Sequence, residues 1–376
     1  MDITIREVKT RKDLREFILF PEKLYKNCEN WVPALISDER DTLGDKNPAL
    51  EFCERACFLA ERAGQTVGRV AAIINRNANR DWNESVVRFG WIDFIEDAAV
   101  VKALTDRVAD WGRERSCVKI KGPLGFSDFD KEGLLVEGFG HLSPFTVIYN
   151  YPYYGRLLEE AGFRKDADWT QKIVKIPGEL PKSFAYTDLI QKRFGLRPVT
   201  GMSMKELGRR YGMEIFRLVN KSFAGLYEFT PFSDAQIKGY IKAYLPILNK
   251  DFISVIVDSE DRVAGFAFCV PSLSKAIRKA RGRIFPSGFI HLLRALRRND
   301  TLDALMIGVL PEYQGKGASL LIFKQIHESC LKYGISRMRA NPQLETNFKV
   351  QSVFDDIYET HEFQRRRCYV KEITPR

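Results

Sequence analysis

Residues 305–319 read LMIGVLPEYQGKGAS: an apolar run ends at Leu310-Pro311, glycines follow at 315 and 317, and a periodic apolar segment begins directly after them. The run has the composition of a strand, and 316–333 has the spacing of a helix, so the glycines form the turn between them. A helix start leaves several backbone N–H groups unpaired and carries partial positive charge. An anion such as a diphosphate satisfies both. Gly315 and Gly317 let the backbone approach such a group with no Cβ in the way, and Lys316 adds a cation. The turn carries neither G-x-x-x-x-G-K-[ST] nor G-x-G-x-x-G, so it is not a phosphate loop of either of those kinds.

Working outward, strand 303–310 and helix 316–333 are followed by strand 336–340, a helix near 347–359 and strand 365–372. They are preceded by a helix near 212–223 and by strands 252–258 and 262–270. The first half runs in the same order. Residues 58–75 read as two strands around a Gly64 turn, 86–95 as a strand, and 98–115 as a helix with Val101, Leu104, Val108 and Trp111 at helical spacing. Strand 118–123, helix 151–163 and strand 168–176 complete it, and 177–194 has the character of a linker. The expected fold class is α/β (α+β), with two tandem domains, each a mixed, mostly antiparallel sheet flanked by helices. The expected boundaries are 1–178 for the first domain, 179–194 for the linker and 195–376 for the second, which also holds an insertion at 272–299.

The stretch 305–319 resembles the coenzyme A signature of the GNAT superfamily of N-acetyltransferases: a strand, V-x-P, then Q/R-x-x-G-x-G/A and a helix. The matching positions are Gln314, Gly317 and Ser319; serine at 319 departs from the usual glycine or alanine. The resemblance extends over nearly the whole chain, to a tandem GNAT-like group of bacterial acyltransferases with GPLGFSDFDKEGLL at 122–135 and an aromatic run at 149–154. It implies that acetyl-CoA or another acyl-CoA is held by Ile307, Val309, Gln314, Gly315, Lys316, Gly317, Ala318, Ser319 and Asn347. A backbone N–H near Ile307 or Val309 would stabilise the developing oxyanion. In the first half, Asn150 to Phe163 resembles the family's Asn–helix–Gly-Phe element. Its strand 86–95 is followed by Glu96-Asp97-Ala98-Ala99 rather than glycines. Two carboxylates there would repel a diphosphate and serve as caps, so one cofactor site is expected, in the second half.

The acid–base residues are less legible. The family's tyrosine, which protonates the leaving thiolate, falls by spacing on Phe354, which has no proton to give; Tyr358 lies one turn further on. Strand 304–310 has no carboxylate, so the candidate bases are Glu228, in the aromatic loop 226–232, and Glu345, just before Asn347. In the first half Asp128, Asp130, Glu132 and His141 lie in a glycine-rich stretch and are acceptor-site candidates or turn-formers.

The 376 residues are 45% hydrophobic and 29% charged, with net charge +10, which excludes a disordered or fibrous chain. The start, MDITIREVKT, has no apolar h-region, and no apolar run reaches about 18 residues, so neither a signal peptide nor a membrane span is expected. Seven scattered cysteines and four separated histidines point to free thiols in a reducing cytoplasm and to no metal site. Residues 272–299 carry eight cations and no acid, interleaved with Phe285, Phe289, Ile290, Leu292, Leu293 and Leu296. Such a stretch either packs with a solvated basic face or meets an anionic membrane or a lipid-like substrate; no nucleic-acid module is present.

The resemblance thus implies an acyl-CoA-dependent N-acyltransferase, by first expectation using acetyl-CoA on a primary amine that is small or peptidyl. The alternatives are a long-chain acyl-CoA transferase acting on a lipid amine such as a sphingoid base, and a non-catalytic coenzyme A-binding protein. The expected location is cytoplasmic, with peripheral contact to the membrane through 272–299.

Overall fold

The computed structural model describes residues 2–244, 248–347 and 354–374, the side chains of 243 and 244 excepted. Through the first half the elements are β1 (Thr4–Glu7), α1 (Arg11–Leu24), α2 (Ile36–Thr42), β2 (Cys53–Arg62), β3 (Gln65–Asn75), α3 (Arg76–Asp81), β4 (Val86–Phe94), α4 (Ala98–Arg113), β5 (Lys119–Gly122), β6 (Leu134–Glu137), α5 (Tyr153–Glu160) and β7 (Arg164–Lys175). There follow α6 (Thr187–Phe194), β8 (Arg197–Pro198), α7 (Met204–Phe223), α8 (Asp234–Tyr244), β9 (Ile253–Val257), β10 (Val263–Pro271), α9 (Ser274–Ala280), α10 (Gly288–Arg297), β11 (Thr301–Val309), α11 (Ala318–Tyr333), β12 (Arg337–Arg339), β13 (Gln343–Leu344) and β14 (Thr360–Glu372). The strand and helix order expected from the sequence is present in both halves. Of the helix expected over 347–359, residues 348–353 lie outside the described ones, and among the rest only Phe354 and Asp355 are helical. The stretch expected to be a linker is ordered instead: a 3-10 turn at Lys182–Tyr186 runs into α6, whose C-cap Gly195 adopts the left-handed conformation that ends a helix.

By its contacts the chain divides into two compact units. Unit 1 comprises the residues through Thr170, Ser274–Leu292 and the chain from Gln364; unit 2 comprises Gln171–Leu273 and Leu293–Phe363. The sequence-based boundaries follow the repeat along the chain, whereas contacts assign the start of the basic insertion and the last strand to unit 1. Strand pairing explains the second: Tyr369–Glu372 of β14 pair with Lys119–Gly122 of β5.

In unit 1 the strand order is β1-β2-β3-β4-β5-β14. Most neighbours are antiparallel, but β4 and β5 are parallel over Val86–Arg88 and Lys119–Lys121. The core joins Phe58, Val70, Phe89 and Phe94 of the sheet to Val101, Leu104, Val108 and Trp111 of α4, the positions whose helical spacing is legible in the sequence. Asp97 caps α4 by accepting from the Ala99 N–H at 2.8 Å.

In unit 2 the order is β7-β12-β11-β10-β9-β8. Strand β11 pairs antiparallel with β10 along most of its length, but parallel with β12 only at Thr301–Asp303. Helix α11 covers one face through Leu321, Ile322, Phe323 and Ile326, and α7 packs against β10 and β11.

Candidate active site

Where β12 leaves β11, residues 304–309 keep a strand partner on one side only among the described residues. The Leu310 N–H donates to Ala264 O at 2.9 Å, and the register is continuous from Gly265↔Val309 to Phe268↔Met306. In an antiparallel ladder amides alternate in direction. Leu310 and Gly308 therefore spend theirs on β10, while Ile307 and Val309 turn theirs toward the vacated edge. These are the two residues from which the sequence reading takes the oxyanion donor. Residues 304–307 are half-buried, so this edge is open enough to meet a ligand.

The strand then enters the glycine turn. Gly315 (φ +73°) and Gly317 (φ +83°) are both left-handed, a conformation that costs residues with a Cβ about 1–2 kcal/mol. Gly317 is the N-cap of α11 and supplies no side chain to cap it. Lys316 N bonds to Tyr313 O, and Leu320 N and Leu321 N bond to Gly317 O. Among the described residues the amides of Gly315, Gly317, Ala318 and Ser319 have no acceptor. Four free amides at an uncapped helix start form an anion cradle. Gln314, Gly315 and Lys316 are exposed, Gly317 and Ser319 half-buried, and Ala318 buried among Leu321, Ile322 and Ile256. Among the described residues Lys316 makes no ion pair; its ammonium lies 5.7 Å from the Tyr313 ring centre.

Neighbouring groups hold the turn in place. Tyr313 donates its hydroxyl to Asp258 Oδ2 at 2.8 Å, and Gln314 Nε2 donates to Val309 O at 3.3 Å. Burial acts to raise the Asp258 carboxyl, but bonds from the Arg262 N–H, Tyr313 and the Arg262 side chain outweigh it and hold it below the usual carboxylate range. Two further features are set by contacts between distant segments. Ile190 of α6 lies against Gly317, where an added Cβ would come within 2.6 Å of Ile190 Cδ1. At the apex of the split, Arg339 Nε donates to Asp303 Oδ1 at 2.6 Å and Arg339 Nη2 to Asp303 Oδ2 at 2.9 Å and to Ser272 Oγ at 2.6 Å. A lone acid opening the apolar run 303–310 is the one hint of this buried pair in the sequence.

The acid–base candidates are placed less favourably. Tyr358 is buried with Phe323 and Phe354, and its hydroxyl faces His327 Nδ1 at 3.2 Å, their rings stacked. Burial pushes the Tyr358 phenol far up and the His327 imidazole down. The thiolate acid expected at Tyr358 needs a hydroxyl open to substrate, and this one is enclosed in the core because 354 and 358 share one buried face. Tyr358→Phe is accordingly expected to lower stability by about 1 kcal/mol, through loss of one buried bond, and to leave turnover within about twofold. Urea unfolding and initial rates check it. Glu228, read from the sequence as a loop acid, is buried, in the left-handed region (φ +56°) and beside Phe229, which packs on Phe223 and Phe232. Glu345 and Asn347 are half-buried in the turn after β13, where Asn347 N bonds to Leu344 O. Among the described residues no group of three or more potential metal ligands comes together.

The first copy has the same split, filled. Beyond Arg88, β5 leaves β4, but Phe89 O accepts from Leu124 N at 2.9 Å. Phe94 N donates to Tyr154 OH at 3.1 Å, and Phe94 O accepts from Tyr153 OH at 2.7 Å. Behind them Tyr25, Tyr154 and Arg69 surround the buried Asp93. The strand edge that is open in unit 2 is here satisfied by the chain's own tyrosines.

Of the first-half acids, Asp130 closes a turn by accepting from the Phe126 and Ser127 amides at 2.7 and 3.2 Å. Burial pushes its carboxyl up to about 6, against the lowering by those amides. Between its unfolded value and about 6 the folded chain holds a proton that the unfolded chain has lost, so stability falls as pH rises through this window. Asp130→Asn is expected to remove that slope; urea unfolding of both proteins at pH 5 and 7 reads it.

No family model matches the chain. It is 27% identical to protein YghO of Escherichia coli K12, over 98% of this chain and 95% of that one. It is 26% identical to the bacterial ceramide synthase of Caulobacter vibrioides, over 99% of this chain and 98% of that one. Among solved structures it resembles a tandem GNAT protein from the clavulanic acid biosynthesis pathway, with TM-score 0.59 and 11% identity over 100% of both chains. A GNAT-type N-acetyltransferase from Sphaerobacter thermophilus gives TM-score 0.54 and 11% identity, over 99% of this chain and 96% of that one.

Proposed function

From the tandem GNAT fold, we propose that this protein is an acyl-CoA-dependent N-acyltransferase with one working cofactor site, in unit 2, and a lipid amine as its acceptor. The observation that carries the reading is the open edge of β11 running straight into four free amides at the start of α11. The residues present fit the group. Gly315, Gly317, Ala318 and Ser319 would hold the diphosphate by their N–H groups, with Lys316 adding charge. The Ile307 and Val309 backbone would bond the pantetheine arm, and Asn347 lies in the turn from which it would meet the same arm.

Bound acyl-CoA supplies a thioester whose acyl carbon forms a bond to the amine nitrogen as its C–S bond breaks. The chain's part is to align that carbon along β11, to place an amide of Ile307 or Val309 at its oxygen, and to keep the amine neutral. Preorganised donors aimed at a developing oxyanion are the largest contribution such a site makes. Glu228 is the candidate base for the amine proton, since its buried left-handed backbone is the strained geometry that functional positions retain. The departing thiolate takes its proton from water in this reading, as Tyr358 is enclosed.

The name of the Caulobacter relative supports a lipid amine and a long acyl chain over acetyl transfer to a small amine. Thiol release measured with acetyl-, medium- and long-chain acyl-CoA, against polyamine, peptide and sphingoid-base acceptors, tests the reading. Long-chain turnover on the sphingoid base is expected, with one coenzyme A bound per chain by calorimetry. Binding without turnover on any acceptor would leave a non-catalytic coenzyme A protein, a reading that Phe354 and the buried Tyr358 favour. Two coenzyme A molecules per chain would overturn the assignment of a single site.

A further inference from the structure

Ten large apolar side chains stand exposed among the described residues, and four of them fall within nine positions: Phe285 (77% exposed), Phe289 (39%), Ile290 (56%) and Leu293 (50%). Phe289, Ile290 and Leu293 share one face of α10, and the Phe285 ring lies 6.0 Å from that of Phe289. A contiguous exposed apolar patch on a folded chain marks a surface that meets something.

The segment bearing this patch is firmly seated. In α9, Ser274, Ala276 and Ile277 are buried, and the Ile36 N–H donates to Gly282 O at 3.0 Å. Gly282 is left-handed, and a Cβ there would meet Ala34 O at 2.3 Å. Of the eight cations in 272–299, Arg283 pairs with Glu22 at 2.9 Å and Arg278 donates to Glu29 O. The other six, Lys275, Lys279, Arg281, Arg294, Arg297 and Arg298, make no ion pair among the described residues. The segment is thus anchored at α9 and Gly282, and along the chain its unpaired cations flank the exposed apolar groups with no acid between them.

We propose that this surface docks on an anionic lipid bilayer, with Phe285, Phe289, Ile290 and Leu293 entering the boundary between headgroups and acyl chains. The six unpaired cations would take the headgroup phosphates. A bilayer satisfies both halves of the pattern at once. Nucleic acid would satisfy the cations but leave the aliphatic Ile290 and Leu293 in water. A second copy meeting this face across a two-fold axis would set the six cations against themselves. No helix among the described residues is long and apolar enough to cross a membrane, so the contact is one of surface. The inference does not depend on acyl transfer, because it is read without turnover.

The full-length protein is sedimented with phosphatidylcholine vesicles, with and without about 30% phosphatidylglycerol, at about 0.1 and 0.5 M salt. Partition is expected onto the anionic vesicles alone, weakening by about tenfold or more at the higher salt. The pairs Phe289→Ser with Ile290→Ser, and Arg294→Glu with Arg297→Glu, are each expected to lower it by at least about tenfold. Their circular-dichroism melts should match the parent, since all four side chains are exposed. Equal partition onto neutral vesicles, or variants that partition like the parent, would overturn the proposal. So would the absence of binding to the anionic vesicles, whether or not duplex DNA binding indifferent to the serine pair or a concentration-dependent dimer dissolved by it accompanies that absence.

Discussion

Gly315→Asp is expected to lower coenzyme A affinity about a hundredfold and to leave the protein folded. Nothing lies within 4 Å of where a Cβ would stand at Gly315, so the side chain projects into open space. Asp and Asn tolerate the left-handed region better than other residues with a Cβ, which keeps the backbone cost small. The carboxylate then sits beside four amides that would otherwise receive phosphate oxygens. A like charge some 4 Å away at an effective dielectric near 20 opposes binding by about 4 kcal/mol, and salt and relaxation reduce that to about 3 kcal/mol. Gly315→Asn carries the same backbone change without the charge and should keep most of the affinity. Calorimetric titration with coenzyme A, paired with thermal melts, separates charge from fold. If Gly315→Asp binds as the parent does, the turn does not hold the diphosphate. Gly317 would be the poorer probe, because a side chain there would strike Ile190 and confound binding with packing.

Asp303→Ala is the substitution expected to damage stability most. Asp303 and Arg339 are both buried, face each other in register across β11 and β12, and bond through two oxygens. Removing the carboxylate leaves a guanidinium inside unit 2 with Ser272 Oγ as a remaining partner. Breaking a buried pair from one side costs about 3–5 kcal/mol, because the surviving charge keeps its desolvation penalty. Urea unfolding followed by circular dichroism should show the loss. The doubly apolar Asp303→Leu, Arg339→Met should recover much of it, since no orphan charge remains. A loss below about 1 kcal/mol for Asp303→Ala would mean that water reaches Arg339, and that the apex of the split is open rather than closed.

The repeated order of strands and helices was legible because it rests on local signals. Val101, Leu104, Val108 and Trp111 recur at helical spacing, Gly64 turns β2 into β3, and Gly334 ends α11. The glycine turn was legible for the same reason, since positive φ at 315 and 317 is a demand on two single residues. The carboxylate cap at Asp97 could likewise be read from its place before an apolar helix.

Other features depend on which distant segments meet. Nothing near Phe94 announces that Tyr153 and Tyr154, some sixty positions later, use up its backbone groups and fill the first split. Tyr358 and Glu228 read as polar residues near a site; burial of their surroundings turned the first into a core residue and gave the second a buried, left-handed setting. The supposed linker became α6, whose Ile190 covers Gly317, because an amphipathic segment folds when another surface is there to receive it. By itself, the sequence determined the two copies, the one glycine turn and the basic apolar insertion, since each follows from neighbours along the chain. Only the tertiary structure decided which split stays open, where β14 completes a sheet and which charges are buried in pairs, because hydrogen bonding and desolvation act between segments that the chain order keeps apart.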